Sequence, residues 1–151
     1  MDCPFCAIAA GRLEASVVAQ SDHALAFLDL RQAVPGHVLV VPREHVQDIY
    51  AISPAVAAEV MQLGVRVAQA LREVFHPPGL NLWQSNGAAG GQEVAHFHLH
   101  VQPRRVADGL LSIYGGNVPA PTSRDELDRL AGRIRPFLST DGVSPTPWSH
   151  P

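Results

Sequence analysis

Residues 96 to 102 read His96-Phe97-His98-Leu99-His100-Val101-Gln102, so histidines and apolar residues alternate strictly. On a β-strand, residues two apart point to the same face of the sheet. The alternation therefore predicts a strand over residues 96–102, with three imidazoles on one face and three apolar side chains in the core. Valine, threonine or serine would serve on a face that is only solvated, so three histidines in alternate positions indicate chemistry.

The spacing of these histidines favours separate roles for them. On a regular strand the Cα atoms of neighbouring histidines lie about 6.5 Å apart, and those of His96 and His100 about 13 Å apart. Because zinc–nitrogen bonds are only about 2 Å long, one tetrahedral metal could not easily bind all three. Imidazole is a near-neutral base and nucleophile as well as a metal ligand, and both uses stay open at this point.

A glycine-rich loop, Asn-Gly-Ala-Ala-Gly-Gly-Gln at residues 86–92, precedes the first histidine. Glycines let backbone N–H groups converge on an anion and let phosphate oxygens approach closely. Taken alone, such a loop is more often an ordinary connection. Close before His96, it favours a site for phosphoryl or nucleotidyl transfer.

The remaining pattern predicts an α+β fold with about five mainly antiparallel strands and two helices. Strands cluster around the helices without regular alternation of strand and helix, which argues against a parallel sheet. The expected elements, besides the strand at 96–102, are strands at 16–20, 24–28, 37–41 and 80–84, a loop at 106–122 and helices at 53–75 and from residue 123.

Both helices carry start signals. Ser53 is a suitable N-cap and Pro54 suits the first helical position. Ser123 and Glu126 have the spacing of a capping box, and Pro136 should end or kink the second helix. Apolar residues recur at steps of three and four in the first helix, which predicts one buried stripe.

Size and charge exclude several classes of protein. A chain of 151 residues has the length of a single domain. Its net charge of −3 does not provide the basic face that binding of long nucleic acid requires. No apolar run reaches the ~20 residues of a membrane span, and the N-terminus does not read as a signal peptide. We therefore expect no membrane association, a cytoplasmic location and reduced cysteines.

At this point the chain resembles the histidine triad (HIT) family. The resemblance covers about residues 3–105 and rests on the triad itself and on four further segments, Cys3-Pro4-Phe5-Cys6, Ala26–Asp29, Pro35–Pro42 and Asn86–Gln92. It implies a HIT-like fold over residues 1–140. Residues 141–151 should form a disordered tail, whose end, Trp-Ser-His-Pro, matches the start of a common affinity tag, and we assign the tail no function.

The resemblance also implies an activity and the residues that carry it. The chain is similar to bacterial purine nucleoside phosphoramidases and diadenosine polyphosphate hydrolases of the family. By that similarity His98 attacks the α-phosphorus and forms a nucleotidyl-imidazole, His100 holds a phosphate oxygen, and His37 orients the triad. The implied nucleotide contacts are Asp29 to the ribose, and Gly91, Gln92 and the backbone of Glu93 to the phosphate.

Two positions depart from the family pattern. Ser85 stands where many relatives have asparagine or glutamine, and the adjacent Asn86 is the expected substitute, so both are candidate nucleotide-binding residues. Glu93 stands where many eukaryotic phosphoramidases of the family have serine, near the leaving group. This second departure puts the preferred leaving group in doubt.

The Cys-x-x-C pair at the N-terminus has two readings. Two unpaired thiols are one reading, and a thioredoxin-like role is disfavoured because no βαβ pattern follows. The resemblance gives the other, a zinc ion held by Cys3, Cys6, His45 and His96. Such a closed Cys₂His₂ set is structural and not Lewis-acidic.

Three functions stay open. The first is hydrolysis of purine nucleotide conjugates, AMP-linked amines or dinucleoside polyphosphates, at the α-phosphate. The second is nucleotidyl transfer or phosphorolysis on the same scaffold. The third is a purine-nucleotide-binding interaction protein without turnover. The resemblance further implies a homodimer, for which the alanines of helix 53–75 would permit close approach.

Overall fold

The computed structural model describes residues 3–111, 116 and 118–138. They fall into two compact units that meet in sequence between Leu110 and Leu111. The first unit contains one five-stranded sheet whose neighbouring strands are all antiparallel, in the order β1-β2-β3-β5-β4. The predicted α+β class and antiparallel sheet are confirmed.

The strands lie close to their predicted positions. They are β1 (Val17–Gln20), β2 (Ala24–Leu28), β3 (Val38–Pro42), β4 (Gly79–Trp83) and β5 (Leu99–Arg104). In the centre of the sheet, Leu39 pairs with His100 and His100 with Trp83. These three side chains therefore share one face, which is the face of the candidate site.

The prediction for the last strand was wrong at both ends. β5 begins at Leu99 because the backbone before it pairs elsewhere: the N–H of Phe97 donates to the carbonyl of Val46 (2.6 Å). β5 also continues through Pro103, which was expected to close it. Pairing with β3 ends at Val101, so beyond that residue β5 pairs with β4 alone and a missing N–H is tolerated.

Three helices are described, one more than predicted: α1 (Pro4–Ala9), α2 (Pro54–Phe75) and α3 (Arg124–Ile134). The N-cap of α2 is confirmed, since the Ser53 hydroxyl accepts a hydrogen bond from the N–H of Val56 (3.3 Å). Within the described residues, α2 is too polar to cross a membrane and the other helices are too short.

The second unit contains α3 and a tight 3₁₀ turn at Arg135–Phe137, as Pro136 led us to expect. Half of the predicted capping box is present, because Ser123 accepts from the N–H of Glu126 (3.4 Å) while the Glu126 carboxylate binds Arg129 instead. The described part of the expected loop at 106–122 has neither helix nor strand. The predicted tail at 141–151 lies outside the described residues.

The sheet of the first unit has a core on each face. On one face α2 packs Val60, Leu63 and Val67 against the inward side chains of β3 and β5. Gly64 permits close packing there, because an added Cβ would lie 2.9 Å from Leu99 Cδ2 and the leucine side chain would have to shift. This close packing offsets the low helix propensity of glycine.

The second core lies on the histidine face. Phe5 from α1 packs there with Leu25, Phe27, Leu39 and Val41. The unpredicted helix α1 therefore covers the same face of the sheet that carries the site.

Candidate active site and metal centre

The three histidines of the triad differ in burial and in partners. His96 is fully buried, His98 is 5% exposed and His100 is half-buried. The rings of His98 and His100 are in edge contact at 4.9 Å between centroids. Phe5 contacts the other side of the group, with its ring 5.7 Å from His96 and 5.4 Å from His98. The triad therefore stays on one face although only His100 lies within β5.

His98 is held in one tautomer by the backbone. Its Nδ1 lies 2.6 Å from the carbonyl oxygen of His96. A carbonyl oxygen only accepts, so Nδ1 carries the proton and Nε2 keeps its lone pair. An imidazole in this state has a nucleophilic nitrogen on its outer side.

His100 is a neutral ring stacked between neighbours. Its ring lies parallel to that of Trp83, with centroids 4.2 Å apart and 4° between planes. Its Nδ1 is 2.9 Å from Nε2 of His37. Burial, and then the nearby His98 and His37 rings, lower the pKa of His100 to about 3. His100 thus offers hydrogen bonds without a positive charge.

His37 connects His100 to the carboxylate of Asp29. Its Nδ1 lies 3.7 Å from Asp29 Oδ2 and 3.4 Å from the carbonyl oxygen of Arg31. The expected orienting role of His37 thus has a geometric basis, through His100 and not through His98. The side chains of Asp29, His37 and His100 form one continuous polar group.

Gln32 organises the loop between Asp29 and His37. Its Nε2 donates to the carbonyls of Asp29 (2.7 Å) and His37 (2.8 Å). Its Oε1 accepts from the N–H groups of Gly36 (2.8 Å) and His37 (3.1 Å). Sequence reasoning missed both Gln32 and Trp83. Trp83 lies inside the predicted strand at 80–84 and Gln32 lies between two predicted strands, and neither position alone indicates a role in the site.

A cavity of about 680 Å³ opens beside the triad. Its walls are mostly apolar and come from α1, from the segment after it and from β2 and β3; they include Pro4, Phe5, Ile8, Leu13, Phe27 and Leu39. Asp29 and Glu93 also line it, whereas the triad rings do not. Phe5 and Asp29 are shared by the cavity and the histidine group, so the two are adjacent.

The glycine-rich loop is ordered by its own side chains. Gln92 accepts from the N–H of Gly87 (2.8 Å) and donates to the carbonyl of Gln47 (2.7 Å). Asn86 bonds to Gln84 and accepts from the N–H of Ile49 (2.8 Å). These two amides are therefore occupied within the fold.

The other predicted nucleotide contacts have varied surroundings. The Ser85 carbonyl accepts from the Gln84 side chain (2.8 Å), and Gly91 has a left-handed backbone (φ 81°) at the end of a 3₁₀ turn. Glu93 forms an exposed ion pair with Arg31 (3.2 Å). Asp29 and Glu93 are thus the predicted contacts that line the cavity.

The four predicted metal ligands converge. Their ligand atoms, from Cys3, Cys6, His45 and His96, all lie within 4.8 Å of one another. Cys3 Sγ is 3.3 Å from His96 Nδ1, and Cys6 Sγ is 3.3 Å from His45 Nδ1. Ligand atoms of a tetrahedral zinc ion are separated by about 3.3–3.8 Å, given bonds of about 2.0–2.3 Å. Two thiols and two imidazoles at these spacings fit zinc.

The state of His96 also suits a metal ligand. Its Nε2 donates to the carbonyl of Pro42 (2.9 Å), so Nδ1, which faces the cysteines, keeps its lone pair. Burial lowers the pKa of His96 and thereby favours the neutral ring that a metal requires.

Comparison with known proteins agrees with this geometry. Residues 10–107 match the HIT domain. The protein named Protein hit from Bacillus subtilis is 39% identical over 103 residues, which cover 68% of this chain and 71% of that protein. Adenosine 5'-monophosphoramidase hnt1 from Schizosaccharomyces pombe is 31% identical over 134 residues, 89% of this chain and 96% of that protein.

A solved structure extends the comparison to a metal-containing relative. It is the crystal structure of a Zn-bound histidine triad family protein from Mycobacterium smegmatis, which is 37% identical and has a TM-score of 0.68. The alignment covers 86% of this chain and 90% of that chain. Sequence match, fold and arrangement of the three histidines lead to one conclusion: the chain belongs to the HIT family.

Proposed function

We propose that this protein hydrolyses purine nucleotide conjugates, AMP-linked amines or dinucleoside polyphosphates, at the α-phosphate. The observation that carries the proposal is the hydrogen bond from His98 Nδ1 to the carbonyl of His96, which leaves Nε2 as the nucleophile. Similarity to a protein named as an adenosine 5'-monophosphoramidase supports the choice of substrate class.

The reaction takes place in two displacements. His98 Nε2 donates its lone pair to the α-phosphorus, a P–N bond forms, and the leaving group departs with the electrons of its bond to phosphorus and takes up a proton. Water then attacks the same phosphorus and loses a proton to solvent, which balances the proton taken up by the leaving group. The P–N bond breaks, its electron pair returns to Nε2 of His98, and the nucleoside monophosphate is released. Splitting one displacement into two is the advantage of covalent catalysis.

The neighbours of His98 supply binding and orientation. Asp29 binds the ribose hydroxyls, and the apolar cavity walls take the base. For the outer Nε2–H of His100 to donate to a phosphate oxygen, Nε2 of His37 must donate to Nδ1 of His100 (2.9 Å). Because Nδ1 of His37 also donates to the Arg31 carbonyl, His37 then carries both ring protons beside the Asp29 carboxylate. Because His100 is neutral, its hydrogen bond strengthens as negative charge develops at phosphorus, and it forms no tight ion pair with the product.

We further propose that Cys3, Cys6, His45 and His96 hold a structural zinc ion. Bound zinc would neutralise the thiolates and tie the N-terminal helix to the triad. The zinc-bound relative supports this assignment. With all four positions filled by protein ligands, the ion has no open position for substrate.

The protein is proposed to act as a homodimer, and its cytoplasmic location stays a prediction from sequence. β1 and β4 are the edge strands of the sheet, and an uncovered edge tends to pair with another chain. Leu82 on β4 and Met61 and Val65 on α2 are exposed apolar residues that such a contact would cover.

Trapping of the covalent intermediate tests the enzyme proposal. The protein is mixed with a slowly cleaved AMP-amine and its intact mass is measured. We expect one added nucleotidyl group on the wild type and on His23→Ala, an exposed histidine outside the site, and none on His98→Ala. Turnover without any adduct would contradict the covalent route. Nucleotide binding with neither adduct nor turnover would favour the interaction-protein alternative.

The transferase alternative needs a separate measurement. The same substrate is assayed with and without inorganic phosphate, and the products are separated. Hydrolysis predicts the nucleoside monophosphate in both reactions. Appearance of the nucleoside diphosphate only with phosphate would identify a phosphorylase.

A further inference from the structure

We propose that Glu14 reads the nucleobase and makes the cavity selective for guanine nucleotides over adenine nucleotides. This inference rests on the proposed nucleotide function and adds to it the base that the site prefers.

Most polar side chains of the cavity already have partners. Six line it: Glu14, Ser16, Asp29, Arg31, Gln32 and Glu93. Arg31 and Glu93 pair with each other, and Gln32 uses both amide atoms on the backbone. Asp29 accepts from the N–H of Arg31 (2.7 Å) and lies beside His37.

Glu14 is an exposed residue of the cavity lining, and its carboxylate makes no hydrogen bond or ion pair with any residue in the described part of the chain. The Ser16 hydroxyl also lacks such a partner. A hydroxyl both donates and accepts, so it discriminates poorly between bases. A carboxylate only accepts, and it is therefore the group that can select a base by its donors.

The segment that carries Glu14 is fixed at both ends. The N–H of Leu13 donates to the carbonyl of Ala7 in α1 (3.2 Å), and the N–H of Leu28 donates to the carbonyl of Ser16 (3.0 Å). Between them Ala15 packs against the second core. The carboxylate is therefore attached to a fixed cavity wall and not to a free loop.

The positions of the other groups put the base near this wall. A nucleotide with its phosphate at His98 and its ribose at Asp29 must extend its base along the apolar side of the cavity. Phe5, Phe27 and Leu13 line that side. The ring faces of any purine can pack against such walls, so the walls alone do not distinguish one purine from another. Selectivity between purines then depends on the contact between the polar edge of the base and Glu14.

Guanine is the base whose edge matches a carboxylate. Its N1–H and N2–H are adjacent donors and can bind both carboxylate oxygens, as in other bidentate pairs. Adenine presents one N–H donor next to the N1 lone pair, which repels a carboxylate. Hypoxanthine keeps N1–H but lacks the second donor, so it should bind with intermediate affinity.

Calorimetric titration of the full chain with GMP, IMP and AMP tests the proposal. We expect GMP to bind about tenfold more tightly than AMP, with IMP between them, as for a single charge-assisted recognition pair near solvent. Glu14→Gln should reverse the order, because an amide donates to N1 and accepts from the amino group of adenine. Glu73→Gln on the exposed surface of α2 removes the same charge away from the cavity and should leave the order unchanged.

The outcomes separate this inference from the proposed function. Equal affinity for GMP and AMP in the wild type, or an order unaffected by Glu14→Gln, overturns the role of Glu14 and leaves the nucleotide site in place. Absence of binding by all three nucleotides, in a sample whose circular dichroism shows it to be folded, overturns both.

Discussion

His98 Nδ1 lies 2.6 Å from the backbone carbonyl oxygen of His96. The side chain of His96 faces the cysteines, and the backbone carbonyl of His96 fixes the tautomer of His98. His96 is itself fixed by the carbonyl of Pro42 at 2.9 Å. The candidate nucleophile is therefore held through a chain of hydrogen bonds that begins in β3 and passes through the candidate metal centre.

Replacement of His98 by alanine should lower the turnover of an AMP-amine by at least about a thousandfold, equivalent to ~4 kcal/mol of barrier. Binding of AMP should largely survive, because the ribose and phosphate contacts come from Asp29 and His100. Steady-state kinetics and calorimetric AMP titration measure the two quantities. If His98→Ala keeps most turnover while His100→Ala loses all of it, the assigned roles are wrong.

Removal of the metal should weaken nucleotide binding as well as stability. α1 places Cys6 at the metal centre and Phe5 and Ile8 in the cavity wall. Loss of zinc frees the helix, so we expect a lower melting temperature and an AMP affinity reduced by about fivefold or more, a typical coupling between two sites.

Elemental analysis, thermal melts and AMP titration before and after chelation measure these effects. Cys3→Ser should reproduce them, whereas His23→Gln should not. Linkage requires that AMP raise zinc affinity by the same factor. Metal-free protein from a native preparation with unchanged stability in chelator would contradict the zinc assignment.

The sequence predicted those parts of the molecule that depend on local pattern. Alternation in residues 96–102 correctly assigned Phe97, Leu99 and Val101 to the core, and Ser53 correctly marked the start of α2. The start of β5 could not be predicted, because it depends on a backbone bond to Val46, fifty-one residues earlier.

Helix α1 was missed for a related reason. It is only six residues long and its N-cap, Cys3, makes no side-chain capping bond. Its stability comes from Phe5 in the second core, which is tertiary packing that local propensity does not contain. Trp83 and Gln32 were missed likewise, since a ring stacked on His100 and an amide that bonds four backbone groups have no sequence signature.

Replacement of Gln32 by alanine should loosen the segment that carries Asp29 and His37. Four backbone hydrogen bonds are lost from a largely exposed side chain, so the expected destabilisation is about 1–2 kcal/mol. AMP affinity should fall together with stability. Gln32→Glu is the matched variant, because it keeps the acceptor for Gly36 and His37 but loses both donors. Urea unfolding measures the stability and calorimetry the AMP affinity of each variant. If neither quantity differed from wild type in either variant, the prediction would be wrong.

The exposed edges of the sheet predict self-association. Light scattering at micromolar concentration should give a mass near twice the 16.2 kDa of the chain. Leu82→Lys on β4 should shift the protein towards monomer, because a charge on an edge strand opposes pairing. Val74→Lys, near the C-terminal end of α2 and at a residue more exposed than Leu82 (68% against 41%), is the control for an added surface charge. A monomeric wild type would count against the dimer.

The depressed pKa of His100 predicts a specific loss of stability in acid. Burial and the rings of His98 and His37 lower the pKa to about 3 in the folded state, from 6.5 for a free histidine. Below about pH 6.5, His100 therefore binds a proton in the unfolded chain but not in the folded chain. The free energy of unfolding is unaffected by this residue above that pH and decreases as the pH falls towards 3.

Between about pH 6 and about pH 5, His100 should lower the free energy of unfolding by less than about 1 kcal/mol, because its partial exposure to solvent reduces the full linkage effect. His100→Asn removes the titrating group, so its free energy of unfolding should fall less steeply over the same interval, and the difference between the two curves isolates His100 from the other histidines. Urea unfolding at a series of pH values gives both curves. Parallel curves would mean that His100 is protonated as easily in the folded protein as in the unfolded chain, and that it meets the phosphate as a cation.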